Sequence, residues 1–445
     1  MLAMPHTALA RQTPPVRCPD LLGDALVAGG DHRLLLREGV NAYGNGPRPE
    51  PGLIALGSST ASVVSVSALR AAGRLHGALA GGMTTAVVEA RRTGERIRQL
   101  SGAAWVPGST VLLAASGTDV HRDAARLARG AAPALAVVMA EAGETGTLVP
   151  SALGGDTTAV ALRHADGSLR DAAEVDADFA CRARRAVTLA GRCLLVATDV
   201  SKTGLRAPSP DCLLQLRAEL GDRLRVLVDA CQTRLPPDAV AAYLAAGFMV
   251  AVTGSKFIGG PAFCGALLLP PALRCAPQEP PHLGVLLRWE AALDEWQRYA
   301  ALPRRAVHDF LAAWSDVVAQ RIARSPWLEA LPATSPYGPQ TLFAFTVRLR
   351  GASGFYRPMP PDTLAALHRR LRYVEGHSAA SLARVQLGQP VACGERHGMP
   401  ARALRLSAGA RTVTDGVGVP GGLELALQQA SRAIDKVEWL AARLA

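Results

Sequence analysis

At 445 residues with 49% apolar side chains, the chain can bury a core large enough for two lobes, which excludes a disordered, solvated polymer. No apolar run reaches the roughly 18 residues that span a bilayer, and the opening MLAMPHTALARQTPPVRC lacks the apolar stretch of a secretory signal, so a cytoplasmic location without membrane contact is expected. The net charge of +11 comes from arginines spread along the chain and not from a compact basic block, so anionic small molecules are expected partners and nucleic acid is not.

Residues 1–55 are rich in Pro and Gly and read as an irregular N-terminal arm; its turn-forming Asn41–Pro47 stretch holds both asparagines of the chain. Gly57-Ser58-Ser59-Thr60-Ala61-Ser62 then offers either backbone N–H donors to a ligand or a plain loop. The pattern over 78–100 predicts a helix, with Arg91, Arg92, Arg96 and Arg98 near its C-terminal end, where the helix dipole favours cations. Seven strand-length apolar runs follow, at 110–115, 135–140, 158–163, 193–198, 224–228, 248–252 and 265–269, mostly with helical segments between them. That alternation predicts an α/β domain on a mostly parallel seven-stranded sheet. Beyond it, 282–325 is helical in spacing, 341–349 and 402–407 alternate like strands of a small antiparallel sheet, and 422–445 reads as a closing amphipathic helix with Lys436 on its polar face. The expected organisation is an arm at 1–55 contributing to the small domain, a large domain at 56–275 and a smaller C-terminal α+β domain at 276–445.

The chemistry concentrates between 224 and 267. The run Leu224–Val228 ends in Asp229, with Gln232 three residues on, and the run Phe248–Val252 ends in Thr253-Gly254-Ser255-Lys256, followed by Gly259-Gly260-Pro261. Both polar sets stand at the C-terminal ends of buried strands, the edge where open α/β sheets bind ligands. Lysine is scarce here: Lys202, Lys256 and Lys436 are three among 48 Lys and Arg. An amine that forms a Schiff base must be Lys, because Arg stays protonated.

An Asp-x-x-Gln strand end, with Thr-Gly-Ser-Lys and a Gly-Gly-Pro run 27 residues on, resembles the pyridoxal 5'-phosphate (PLP) site of fold-type I enzymes. Within that group the chain looks most like the class V aminotransferase family, which includes cysteine desulfurases and kynureninase-like enzymes. The resemblance implies Lys256 as the Schiff-base lysine and Asp229 as partner of the pyridine nitrogen. It implies further that Gln232 bonds the phenolic oxygen and that Thr253 and Ser255 hold the phosphate. The physics of each role agrees: a carboxylate keeps the ring nitrogen protonated, and a desolvated Lys beside a cation is a usable nucleophile.

Ser116-Gly117-Thr118-Asp119 opens a helical segment, so its free N–H groups suit a phosphate. In the family a Gly-Thr turn grips the PLP phosphate there, which implies Gly117 and Thr118; an N-cap role for Ser116 or Thr118 is compatible with it. Desulfurases carry a ring-stacking histidine near the position of 141–146, but this stretch has no aromatic or imidazole side chain, leaving His121 or an unidentified segment for that task. Glu141 or Glu144 reads either as an acid–base group or as a solvated loop carboxylate. Lys202 stands where the family often has an amide side chain against the phenolic oxygen, so it is expected at the ring or at a substrate anion. Arg405, in Arg402-Ala403-Leu404-Arg405-Leu406-Ser407, matches the arginine that clamps the substrate α-carboxylate, with Arg402 and Arg411 as alternatives. Cys393, in a Gly/Pro-bearing stretch beside Arg396 and His397, is positioned like a desulfurase loop nucleophile, although any loop cysteine fits that description. The eight cysteines form no CxxC pair and read as reduced thiols, the histidines show no metal-ligand spacing, and the GxGxxG at 416–421 reads as a loop.

The expectation is a homodimeric PLP-dependent enzyme acting on an amino-acid substrate, by lyase or desulfurase-like chemistry at Cα–Cβ or by transamination. A ligand sensor or DNA-binding regulator on the same fold would need an added DNA-binding module, which an irregular 55-residue arm does not provide.

Overall fold

The computed structural model describes residues 20–273, 275, 279–350, 356–396 and 398–444. Its strands are β1 Leu53–Leu56, β2 Thr110–Ala114, β3 Ala136–Ala140, β4 Asp156–Val160, β5 Cys193–Thr198, β6 Leu224–Asp229, β7 Met249–Thr253, β8 Gly265–Leu269, β9 Leu328–Ala330, β10 Leu342–Arg350, β11 Tyr356–Pro358, β12 Arg384–Arg396 and β13 Met399–Ser407. Seven of them form one sheet in the order β2-β8-β7-β6-β5-β3-β4. Only β8 among these seven runs against its neighbours. All five residues of β3, β7 and β8 and all six of β5 are buried, which is why they appear in the sequence as unbroken apolar runs and not as alternation. One face of the sheet packs on the helix Gly117–Arg129; the other packs on helices Ala172–Ala190, Pro210–Leu220, Pro237–Ala245 and Leu283–Ala300.

A second sheet runs β1-β12-β13-β10-β11, with β9 on the side of β10. Its core lies against helices Arg304–Arg324, Pro361–Arg370 and Gly422–Leu444. Strand β1 of the N-terminal arm joins it in parallel with β12. Asn45 ties the arm down further: it is buried, and its Oδ1 accepts from Gln386 Nε2 at 2.7 Å and Arg372 Nη1 at 3.1 Å. Among the described residues no helix is long and apolar enough to cross a membrane.

Several expectations shift. The predicted helix at 78–100 is two helices, Val66–Ala80 and Ala86–Ser101, because Gly81 and Gly82 (φ +69°) turn the chain and Thr85 caps the second. The strand placed at 158–163 is β4 at 156–160, since its apolar run continues past the end of its neighbour β3. The Gly416–Gly421 stretch is not a plain loop: Gly416 ends inside the helix Ala410–Gly418, where a Cβ would collide with Phe310. Lys436 is not on a polar face. It is fully buried, its Nζ donating to Ser381 O at 2.8 Å and Tyr373 O at 3.0 Å with the Trp439 ring 5.0 Å away.

The two sheets are joined through Glu295, a fully buried carboxylate on the helix Leu283–Ala300. Glu295 accepts from Arg411 Nε at 2.9 Å and from Arg298, while Arg411 also donates to Val63 O and Gly259 O at 2.8 Å each. Removing one member of such a group strands the others' charge. We expect Glu295→Ala to lower stability by roughly 3 kcal/mol, seen as a lower denaturant midpoint at unchanged slope.

Candidate active site

Three backbone segments meet at the C-terminal edge of the large sheet: the end of β6, the loop after β7 and the N-terminus of the helix Gly117–Arg129. They pack without slack. A Cβ at Gly117 would press on Cys231 Sγ and Thr253 Cγ2, both 3.3 Å away. A Cβ at Gly254 or Gly260 would fall 2.6 or 2.4 Å from Ala292 Cβ, so the loop carrying Lys256 lies directly on the helix Leu283–Ala300. Backbone bonds from Gly254 N to Cys264 O (2.9 Å) and from Gly260 N to Gly254 O (2.8 Å) fix that loop. The glycines flanking Lys256 therefore serve close packing.

Asp229 is the electrostatic centre. Its Oδ1 accepts from Cys231 N at 3.1 Å, and its Oδ2 lies 3.2 Å from His121 Nε2. His121 is 1% exposed, and its Nδ1 is 2.7 Å from Gly117 O, so both ring nitrogens face oxygen. Burial alone would raise the Asp229 pKa, but the His121 charge and the nearby Lys256 ammonium outweigh it and hold the carboxyl well below the usual range. The same pair works in reverse on His121: burial disfavours its charge, yet Asp229 and the Gly117 carbonyl raise its pKa above the ordinary value. His121 is thus held by Gly117 O at Nδ1, with Nε2 within ion-pair distance of Asp229. The sequence flagged it only as a stacking candidate, and nothing in its spacing revealed this pairing.

The other expected site residues fall nearby, with some of their polar atoms already committed. Lys256 is half-buried, its carbonyl accepts from Ser62 Oγ at 3.4 Å, and its charge acts on Asp229. Gln232 is buried, its Nε2 donating to Ser59 O at 3.1 Å and its Oε1 left without a partner. Ser255 is buried. The Thr253 hydroxyl donates to Cys231 O at 2.7 Å, which commits its proton to holding strand ends together. Ser116 caps the helix: its Oγ accepts from Asp119 N at 3.2 Å, and Gly117 and Thr118 are the first residues within it.

Positive charge accumulates at this edge. Lys202 is half-buried and donates to Ala142 O at 3.4 Å; burial, then the neighbouring Arg405 and Lys256 charges, push its pKa down to about 8. Arg405 is 3% exposed on β13. It donates to Thr60 Oγ1 at 2.7 Å, Gln389 O at 2.9 Å and Ser59 O at 3.2 Å, with no carboxylate in ion-pair range among the described residues. Burial pushes its pKa down to about 10. Of the alternatives, Arg402 is exposed and Arg411 is engaged by Glu295.

Glu144 is neither a solvated carboxylate nor a free acid–base group. It is buried against Arg163 (3.1 Å), with Ser201 Oγ at 2.6 Å and Thr203 Oγ1 at 2.7 Å donating to it. Cys393 is not on a loop: it is 3% exposed within β12, and burial pushes its thiol up to about 11, the opposite of an activated nucleophile. His397, read beside it, lies outside the described residues.

The strand order, the single reversed strand and the site at the sheet's C-terminal edge identify the architecture. The chain has the fold of the fold-type I PLP-dependent enzymes. It is similar to the cysteine desulfurase CsdA from Escherichia coli, with 13% identity over 86% of this chain and 94% of that one and a TM-score of 0.53. It is also similar to the glutamate decarboxylase domain of a diaminobutyrate-pyruvate transaminase and L-2,4-diaminobutyrate decarboxylase from Vibrio parahaemolyticus, with 15% identity over 88% of this chain and 81% of that one and a TM-score of 0.55. No family model matches the chain, and no curated protein sequence does.

The His121–Asp229 pair sets a pH signature. Because folding raises the His121 pKa above 6.5, its contribution is complete below pH 6.5 and is lost as pH rises through the raised value. We expect His121→Gln to lower the melting temperature most below pH 6.5, with the deficit shrinking as pH increases; a deficit constant across pH would show that His121 only fills space.

Proposed function

We propose that the chain is a PLP-dependent enzyme of the class V aminotransferase type, acting on an α-amino acid by lyase chemistry at the Cα–Cβ bond. The observation that carries this reading is the buried Asp229 carboxylate, held well below the usual range by His121 and by the nearby Lys256 charge. The residues present fit the cofactor. The helix N-terminus at Gly117 and Thr118, with Ser255 nearby, suits a phosphate, and the unpaired Gln232 Oε1 leaves buried hydrogen-bonding capacity at the ring position. The buried Arg405, which has no carboxylate in ion-pair range among the described residues, and the neighbouring Lys202 suit the anions that a phosphate and a substrate carboxylate would bring.

When bound, PLP supplies an electron sink that stabilises negative charge at the substrate Cα. Asp229 holds a proton at the pyridine nitrogen, and His121 keeps Asp229 ionised for that purpose. Lys256 Nζ would hold the cofactor covalently and is the amine placed to take and return a proton at the substrate Cα. Arg405 orients the substrate by its carboxylate, and Lys202 adds a second cation beside it. Elimination and decarboxylation need no further nucleophile, which agrees with the burial of Cys393, whereas a desulfurase reading would have to find its thiol elsewhere. A homodimer fits the exposed apolar side chains Leu35, Val66, Met83 and Val87 on the arm and the two helices that follow.

Reconstitution with PLP should give an absorption band at roughly 420 nm that is absent in Lys256→Ala. Asp229→Asn should keep cofactor binding but lower turnover by about a hundredfold or more. Assays of ammonia, sulfide and keto-acid release from candidate amino acids, with and without an added keto-acid acceptor, separate lyase from transaminase turnover. A band that survives in Lys256→Ala would remove the basis of the proposal.

A further inference from the structure

A cavity of about 380 Å³ lies beside this site without opening on its polar groups. It is lined by Thr233, Arg234 and Phe257, the chain neighbours of Gln232 and Lys256, but not by those two residues or by Asp229. Helices Leu283–Ala300 and Arg304–Arg324 form another wall, and the segment 334–342 leading into β10 lines the remaining side. Most of the lining is apolar, including Val240, Phe257, Trp296 and Leu311. Clefts of roughly 300 Å³ or more with apolar walls and few polar groups are the usual form of small-molecule sites.

One charge in this wall is unanswered. Arg234 is half-buried, and its guanidinium donates only to neutral oxygens: Thr341 Oγ1 at 2.6 Å and O at 3.4 Å, Ala408 O at 3.0 Å and Ser58 Oγ at 3.2 Å. Its Nε has no partner, and among the described residues no carboxylate lies within ion-pair range of it. The Phe257 ring centre is 5.1 Å from the guanidinium carbon. Burial pushes the Arg234 pKa down to about 9, and the charged neighbour Arg405 pushes in the same direction while Tyr299 opposes it. The other cationic residues of the lining, Arg304 and His308, are exposed, and His308 lies 3.6 Å from Asp309. The Tyr337 hydroxyl is committed to Asp199 at 2.6 Å. A desolvated, unpaired guanidinium is costly, and a carboxylate is the group whose geometry relieves it best.

We propose that this cavity binds a small molecule with an apolar body and a single carboxylate, the carboxylate at Arg234 and the body along Phe257, Trp296 and Leu311, at a site separate from that for cofactor and amino-acid substrate. The inference does not depend on the proposed reaction, because none of its groups is assigned a part in it.

Titration calorimetry of the purified full chain with 4-phenylbutyrate, and with 4-phenylbutan-1-ol as its neutral counterpart, tests this directly. One saturable site is expected for the carboxylate, with the alcohol weaker by about tenfold or more. Arg234→Met should weaken the carboxylate by about the same factor and leave the alcohol unchanged. Val307→Trp fills the cavity from the helix Arg304–Arg324 and should abolish binding of both ligands while keeping the melting temperature of the free protein, so the test stands even if Arg234→Met fails to fold. No saturable binding, equal affinity for both ligands, or undiminished binding in Val307→Trp would each overturn the proposal.

Discussion

Asp229 is an ionised carboxylate placed where almost no water reaches it, and the arrangement of the site follows from what that requires. A buried anion is tolerated only with paired charge and satisfied hydrogen bonds. Its partners arrive from different parts of the chain: Cys231 N from its own turn, His121 from the helix across the sheet edge, and Lys256 from the next strand's loop. Each is held in turn by backbone, His121 by Gly117 O and the Lys256 loop by the tight seating of Gly254 and Gly260 on Ala292. The parallel pairing of β6 with β7 brings the Asp229 and Lys256 segments to one edge, and the 26 residues between them are enough for one helical crossover.

The wider site is out of electrostatic balance in one direction. Of the other buried carboxylates close to it, Glu144 is spent on Arg163 and Asp199 accepts from the Tyr337 and Tyr243 hydroxyls. Burial lowers the pKa of Lys202, of Arg405 and, behind them, of Arg234, and the Arg405 and Lys256 charges add to that at Lys202. An interior with more positive than negative charge is a demand for anions. A phosphate and a substrate carboxylate meet it on one side, and the Arg234 cavity carries the same demand on the other.

The centre of the large sheet was legible because strands buried on both faces must be apolar throughout, and β3, β5, β7 and β8 appear as such runs. Asp229, Lys256 and Lys202 could be found as polar residues ending apolar runs, in a chain where lysine is rare. What stayed hidden was burial created by distant partners. Lys436 looked solvent-facing because its carbonyl partners, Tyr373 and Ser381, are 63 and 55 residues away. Cys393 looked mobile because Gly and Pro surround it, yet β13 pairs alongside and buries it. His121 and Arg234 carry no local signature at all: their importance lies in which charges face them across the fold, and periodicity does not record that.

The central claim is that the Lys256 amine, whose charge acts on Asp229, is the point of cofactor attachment. Borohydride reduction of the PLP-loaded protein followed by peptide mass analysis tests it most directly, since reduction makes the attachment permanent and the map names the lysine. The account predicts the phosphopyridoxyl group on Lys256 alone; finding it on Lys202, or on no lysine, would contradict it.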